Sequence, residues 1–392
     1  MIIGIDNVST GYSTSRRTIG GMRHFLQDIT TWMARVAPQH EYVLFQPQWA
    51  DPLSIDMHPN VRVQECAGVP KQRIGRVIYE QSVYASIIDR SGIDVLLACN
   101  NILPLRLGTP SVVVVQSLQY FDFPQIYSWP QLVYLRNLVP RTLCKATRVI
   151  ALSQTSKQTI LEKVHVPSNR IHVVYHGLSS DVERNRKGEG YKAGCRLVQS
   201  LSDGKPYILS VSSFYWQKNL MRLIKAFSLL KRSNAIPHQL LVVGGNSSKI
   251  TRRDLLLLAS QAGVGNSVVC PGVVAHELVP AFYMLASVNV MPSLYETFGH
   301  PIIEAMSCGC PVVTSNMGTM AELAQDSAVL VNPYNVESIA EGIARVLGDA
   351  GLRDMMVTRG RVRAQDFTLE SQAYGYIQAL EEAAHARHAR NG

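Results

Sequence analysis

Residues 291–306, MPSLYETFGHPIIEAM, hold two carboxylates and a glycine at a spacing that suits one polar ligand. An apolar run ends near Pro292, a turn with Glu and Gly follows, and Pro301 stands where the first turn of a helix accepts a residue without an N–H. The backbone N–H groups around Thr297, Phe298, Gly299 and His300 then point out of a helix start, whose partial positive charge favours an anion. Gly299 lets a ligand approach the backbone, because it has no Cβ and tolerates positive φ. Glu296 precedes the helix and Glu304 lies about one turn inside it, so both can face one ligand from different depths. Carboxylates accept hydrogen bonds from hydroxyls. A ligand with both negative charge and hydroxyl groups fits, and a nucleotide sugar has both.

Lys218-Asn219 follows the apolar run YILSVSS and precedes a helical stretch from Leu220. Asn219 is expected to cap that helix, which leaves Lys218 at the helix start, where an ammonium neutralises a pyrophosphate as a point charge. The pair Gly20-Gly21 precedes another helix; its backbone donors suit phosphate, and it reads equally as a simple turn. Gly244-Gly245 and Gly272-Val273 end apolar runs and are candidates to meet a nucleotide base through backbone groups. On spacing alone the ordinary readings stay open: Glu296 as a solvated loop carboxylate, Glu304 as a charge near a helix N-terminus, Lys218 as a surface lysine. His176 and His300 read as structural, with His300 offering its backbone more than its ring.

The elements that must carry these residues alternate along the chain. Short runs rich in Val, Ile and Leu at 2–6, 42–45, 93–97, 111–116 and 147–152 suit strands buried on both faces. Helical spacing separates them at Gly21–Val36, Gly75–Ser91, Val133–Cys144 and Gln154–Lys163. Residues 177–205 are polar and glycine-bearing and read as a linker with room for a short helix. Alternation restarts at 207–213, 240–245, 267–272, 288–293, 311–315 and 328–332, and a last helix runs over Leu369–Ala384. Two doubly wound α/β sheets are the expected result, with ligands at the carboxyl ends of their strands.

The 392 residues are 46% hydrophobic and 17% charged, enough for two cored domains and too apolar for a disordered chain. Seven scattered cysteines without CxxC point away from a disulfide framework or zinc ribbon, and no metal is expected. No charged leader with a long apolar stretch opens the chain, and no run reaches the roughly 18 apolar residues of a membrane span. A cytoplasmic protein is the expectation. The net charge of +9, most of it contributed before residue 180, favours anionic company. Residues 126–148, with Trp129, Arg136, Arg141 and Lys145, read either as an interfacial helix on anionic lipid or, preferred, as a core helix with a basic outer face.

With Glu296 and Glu304 forming E-x7-E, YETFGHPIIEAMSCGCPVV resembles the signature of the retaining GT-B glycosyltransferases of family 4. IGGMRHFLQDI at 19–29, RVIALSQTSKQTI at 148–160, HVVYHG at 172–177, VSSFYWQKNLMRLIKAF at 211–227 and AVLVNPYNVESIAEGI at 328–343 are similar to other segments of that family, so the resemblance spans most of the chain. It implies a GT-B-like α/β fold of two Rossmann-like domains facing across a cleft. The expected division is an acceptor-side domain at 1–177, a linker at 178–205, a donor-binding domain at 206–366, and a C-terminal helix at 367–392 able to pack back on the first domain.

The resemblance further implies retaining, metal-independent transfer of a hexose, with mannose mildly preferred, from a nucleoside-diphosphate sugar to a glycan or lipid-linked acceptor. The nucleotide sugar is a co-substrate and no cofactor is expected; nucleic acid is not an expected partner, and the basic charge of the first half leaves peripheral contact with anionic membrane open. Glu296 and Lys218 are the expected catalytic residues, Lys218 on the diphosphate and Glu296 on the sugar hydroxyls, with Glu304 on the ribose. Two departures stand out. No arginine accompanies Lys218 between 211 and 221, and Gln116-Ser117 occupies the acceptor-side position where the family commonly has His followed by Asp. Glutamine cannot act as a general base, so Gln116 is left with hydrogen bonding. The alternatives are another nucleotide-sugar enzyme such as an epimerase, or a silent nucleotide-sugar-binding protein of the same fold.

Overall fold

Residues 3–6 of β1 (Ile2–Asp6) are all buried, Ile3 and Ile5 on one face and Gly4 and Asp6 on the other, as a strand covered on both faces requires. In the computed structural model, which describes residues 1–9, 21–50, 53, 58–233, 236–247 and 249–391, β1 lies inside a seven-stranded parallel sheet. Its companions are β2 (Glu41–Pro47), β3 (Val61–Cys66), β4 (Val95–Ala98), β5 (Ser111–Val115), β6 (Arg148–Ala151) and β7 (Ile171–Val173), in the order β3-β2-β1-β4-β5-β6-β7. The order reverses between β1 and β4, which makes their carboxyl ends the switch point of this sheet. This sheet belongs to a unit formed by Met1–Ser179 and Thr368–Gly392. The helix Leu369–Asn391 joins it because Ala373, Tyr376, Leu380 and Ala383 recur at helical spacing and are buried, against the helix Gly21–Val36 and strands β4 to β6.

The second unit, Ser180–Phe367, holds a six-stranded parallel sheet. Its strands are β8 (Tyr207–Val211), β9 (Gln239–Val243), β10 (Val268–Gly272), β11 (Val288–Met291), β12 (Val312–Ser315) and β13 (Val329–Val331), in the order β10-β9-β8-β11-β12-β13. Here the switch point falls between β8 and β11. The helices Leu220–Arg232 and Val336–Gly348 pack on each other and bury Leu223, Ile224, Phe227, Ile339 and Ile343 in one core with the sheet.

Three elements differ from the sequence reading. β3 was not anticipated: it is an edge strand, VRVQEC, whose polar alternation and half-exposed Val63 lack the apolar run used to find the others. The stretch 178–205, read as a linker with room for a short helix, carries two, Ser180–Arg184 and Glu189–Ser202, and the second buries Gly194, Val198 and Ser202 on one stripe against the helix Val279–Leu285. A small-residue stripe of this kind escapes a search for large apolar side chains, and it moves the boundary of the second unit forward to Ser180. The helical stretch Arg73–Arg90 widens to a π-turn at Glu80–Tyr84, which turns Glu80 and Tyr84 into the core.

Candidate active site

Lys218 and Glu296 meet at the switch point of the second sheet. Lys218 ends a single 3₁₀ turn, Trp216–Lys218, after β8, and Glu296 stands in the turn after β11. The ammonium lies 2.6 Å from Oε1 and 2.7 Å from Oε2 of the carboxylate, with only 18% and 11% of the two side chains exposed. The backbone below is tied across strands. Leu294 N–H donates to the Gln217 carbonyl at 2.7 Å, Thr314 Oγ1 donates to the Met291 carbonyl at 2.8 Å, and Ser315 Oγ donates to the Ser293 carbonyl at 2.5 Å.

Asn219 has a role other than the expected helix cap. It takes the N-cap position in the left-handed region, φ 60°, and its side chain makes no capping bond. Instead Nδ2 donates to the Pro292 carbonyl at 2.9 Å and to the Pro333 carbonyl at 2.7 Å, while Oδ1 accepts from Arg222. A positive φ points the amide back toward neighbouring loops, so Asn219 fastens the Lys218 turn to the turn that carries Glu296.

Gly299, at φ 111°, precedes the helix His300–Ser307, with Pro301 in its first turn. Conformation, more than space, demands glycine here, since an added Cβ would sit in ordinary contact with Met291 and Ile302. Phe298 is buried edge-on against Phe367, 5.9 Å between centroids, and Thr319 Oγ1 reaches the Thr297 carbonyl at 3.5 Å. His300 is held neutral. Burial first, then the charges of His276 and Lys218, push its pKa down to about 4. Glu304 is buried and bonded by the Tyr283 hydroxyl at 2.9 Å; burial raises its pKa, opposed by His276 and by that bond.

The Gly244-Gly245 and Gly272-Val273 turns stand at the carboxyl ends of β9 and β10. Gly244 N–H donates to the Gly272 carbonyl at 2.9 Å, and Phe214 N–H donates to the Gly245 carbonyl at 2.8 Å. Three of the groups considered for a nucleotide base are thus engaged in binding the strand ends together. A Cβ at Gly244 would overlap the Ser212 carbonyl, so glycine allows the two backbones to touch. Gly272, at φ 94°, faces open space, and Val273 is exposed.

In the first unit, Gln116 follows β5. Its N–H donates to Asn101 Oδ1 at 2.6 Å, and its buried Nε2 has no partner among the described residues. Gly21 opens the helix Gly21–Val36, whereas Gly20 lies outside the described residues. His176 is structural: Nδ1 sits 3.0 Å from Gln372 Nε2, and its ring packs edge-on against Phe25. Sequence reasoning missed two further groups. Tyr283 touches Glu304 but carries no local motif. Asp6 is a carboxylate closing an apolar strand, a signal that was available; it accepts from Tyr84 and Val8 N–H, each at 2.8 Å, and burial raises its pKa. All seven cysteines are free thiols. Among the described residues no group of three or more His, Cys, Asp or Glu side chains is placed to hold a metal, and no helix is long and apolar enough to cross a membrane.

Two parallel α/β units with a polar site at the switch point of the second define a GT-B-type protein. The family model described as glycosyl transferases group 1 matches residues 197–363, and that of Glycosyltransferase Family 4 matches residues 19–182. The chain belongs to the family 4 glycosyltransferases. It is 28% identical over 273 residues to the O-antigen chain mannosyltransferase B of Escherichia coli, a match covering 69% of this chain and 70% of that protein. With an uncharacterised glycosyltransferase of Methanocaldococcus jannaschii it shares 32% identity over 221 residues, 55% of either chain, so that match spans about half the relative's length. Its fold is similar to that of a sucrose-phosphate synthase from Thermosynechococcus elongatus, with a TM-score of 0.78, 21% identity, and coverage of 98% of this chain and 99% of that one.

Proposed function

We propose that this glycosyltransferase moves a hexose, with mannose the favoured sugar, from a nucleoside-diphosphate donor to a glycan or lipid-linked acceptor, with retention and without a metal. The observation that carries the reading is the Lys218–Glu296 pair at the ends of β8 and β11. Without ligand each charge compensates the other in a partly dry site. A diphosphate offers Lys218 a better-matched anion, and sugar hydroxyls offer Glu296 the donors it loses. The ammonium and the helix start after Gly299 then stabilise charge growing on the leaving diphosphate. In a front-face step the bond from the anomeric carbon to the phosphate oxygen breaks, a bond to the acceptor oxygen forms on the same face, and the acceptor proton passes to the leaving phosphate. This route asks for no protein base, which agrees with glutamine at position 116 and with His300, whose pKa of about 4 makes it a weak base. The likeness to an O-antigen chain mannosyltransferase supports mannose.

Peripheral contact with anionic lipid at the cytoplasmic face belongs to the same proposal. The helix Trp129–Lys145 buries Val139, Thr142 and Leu143 and exposes Trp129, Val133, Arg136, Arg141 and Lys145. That outer face pairs apolar anchors with cations. The deciding experiment incubates purified protein with a panel of nucleoside-diphosphate hexoses and lipid-linked or free glycans, and follows nucleoside-diphosphate release. GDP-mannose is expected to give the highest acceptor-dependent release. No release with any donor and acceptor refutes the transferase reading.

A further inference from the structure

Tyr283 is fully buried in the helix Val279–Leu285, and its hydroxyl reaches out of that helix to Glu304 Oε2 at 2.9 Å. We propose that Tyr283 is a positioning residue for nucleotide binding: by occupying Oε2 of Glu304, it leaves Oε1 as the acceptor presented to the ribose hydroxyls of the donor. This rests on the reading of Glu304 as the ribose contact.

A phenol has one hydrogen to donate, and here it is spent on a carboxylate that makes no other hydrogen bond among the described residues. A glutamate has three rotatable side-chain bonds, so fixing one oxygen removes most of its freedom. Both partners are themselves held. The Tyr207 hydroxyl donates to the Phe282 carbonyl at 2.6 Å, pinning the helix turn that carries Tyr283. On the other side Asn289 Nδ2 reaches the Pro301 carbonyl at 3.4 Å, one helical turn before Glu304. Burial works against ionisation of Glu304, while the charge of His276 first and the Tyr283 bond second work for it. The phenol therefore sets the direction of the group and only assists His276 with its charge, and charge matters because an ionised carboxylate accepts from ribose where a protonated one would have to compete as a donor.

The test is calorimetric titration of wild type and Tyr283→Phe with UDP and GDP and with their 2′,3′-dideoxy counterparts. The variant is expected to bind the ribonucleotides roughly three- to tenfold more weakly, the size of one hydrogen bond, and to bind the dideoxy compounds as wild type does. A loss of equal size for both sets overturns the proposal, because a merely structural defect would not distinguish them. An undiminished ribose preference in the variant overturns it as well, while leaving the donor reading intact. Wild-type protein that binds none of the four refutes the donor reading itself. Should Tyr283→Phe fail to fold, the comparison moves to Glu304→Met with and without Tyr283→Phe, of which the double variant leaves neither partner buried alone. Equal affinities in that pair support action through Glu304, and a further loss overturns it.

Discussion

The Lys218 ammonium bridges both oxygens of Glu296, at 2.6 and 2.7 Å, across 78 positions of sequence. β8 and β11 are neighbours in the sheet, so the turns that follow them emerge side by side where the strand order reverses. That adjacency, more than either residue's exposure or charge, makes the pair a site. An ion pair this dry keeps its two members mutually satisfied, and under the proposed function a ligand with anionic and hydroxyl groups replaces both contacts.

Lys218→Ala and Glu296→Ala should therefore fail in different ways. Loss of the ammonium removes a charged contact to the diphosphate and is expected to weaken nucleoside-diphosphate binding by roughly ten- to a hundredfold. Loss of the carboxylate should leave that binding within about threefold, on the scale of a single neutral contact, while cutting transfer sharply. Calorimetry with the free nucleotide and turnover with the sugar donor separate the two, and unchanged turnover in both variants would show that the site lies elsewhere.

Asn219 offers a test of loop fastening against helix capping. Aspartate keeps a capping oxygen but has no Nδ2 to donate to Pro292 and Pro333. Asn219→Asp is expected to lose about 1–3 kcal/mol of stability, as Asn219→Ala does, because two buried carbonyls lose their donor. Asn219→Gly should lie about 1 kcal/mol above Asn219→Ala, since glycine relieves the left-handed φ of 60°. Denaturant midpoints check the order; wild-type stability in Asn219→Asp would restore the capping role.

Gly244 and Gly272 both have positive φ, 154° and 94°, but their neighbours differ. A Cβ at Gly244 runs into the Ser212 backbone, whereas one at Gly272 meets nothing. Gly244→Ala should cost about 3 kcal/mol or more and displace the turn from Phe214 to Lys218, while Gly272→Ala should cost about 1 kcal/mol. Thermal melts of the two variants compare these directly, and equal losses would mean that conformation alone decides.

Much of this was legible in the chain, for reasons tied to particular residues. Buried parallel strands such as VLLA and SVVVV cannot hide, because both faces demand apolar side chains. β3 could hide, since an edge strand is allowed VRVQEC, and so could the helix Glu189–Ser202, whose buried stripe contains Gly194 and Ser202. Glu296, Gly299 and Glu304 were visible because a turn and the helix after it keep their chemistry local in sequence. The Tyr283–Glu304 bond and the double grip of Asn219 were not, since both join segments that only the sheet order brings together. Asp6, Tyr84 and Glu80 are 78 and 74 positions apart and meet for the same reason.

Glu80 gives the last prediction, because the π-turn forces a carboxyl into the core with little to satisfy it. It is 4% exposed, its nearest cation is Arg76 at 4.0 Å, and the groups around it include Asp6 from β1 and Tyr84 from its own turn. Burial first, then the Asp6 charge, raise its pKa from 4.5 to about 8, with Arg76 opposing. Between those values the folded protein keeps a proton that the unfolded chain has released. Stability must then fall as pH rises, by about 1.4 kcal/mol per unit from this group, with no contribution below about 4.5 and the full loss reached above about 8. Asp6, whose pKa is also raised, adds a slope of the same sign that begins at its ordinary value of 3.8. Glu80→Gln keeps the shape without the titration, so its stability relative to wild type should climb across this window, gaining about 2–4 kcal/mol between pH 5 and pH 8. Urea midpoints at half-unit steps measure the difference. Parallel curves for the two proteins would mean that Glu80 ionises in the fold at its ordinary value, and that water or Arg76 reaches it well enough to make the π-turn electrostatically neutral.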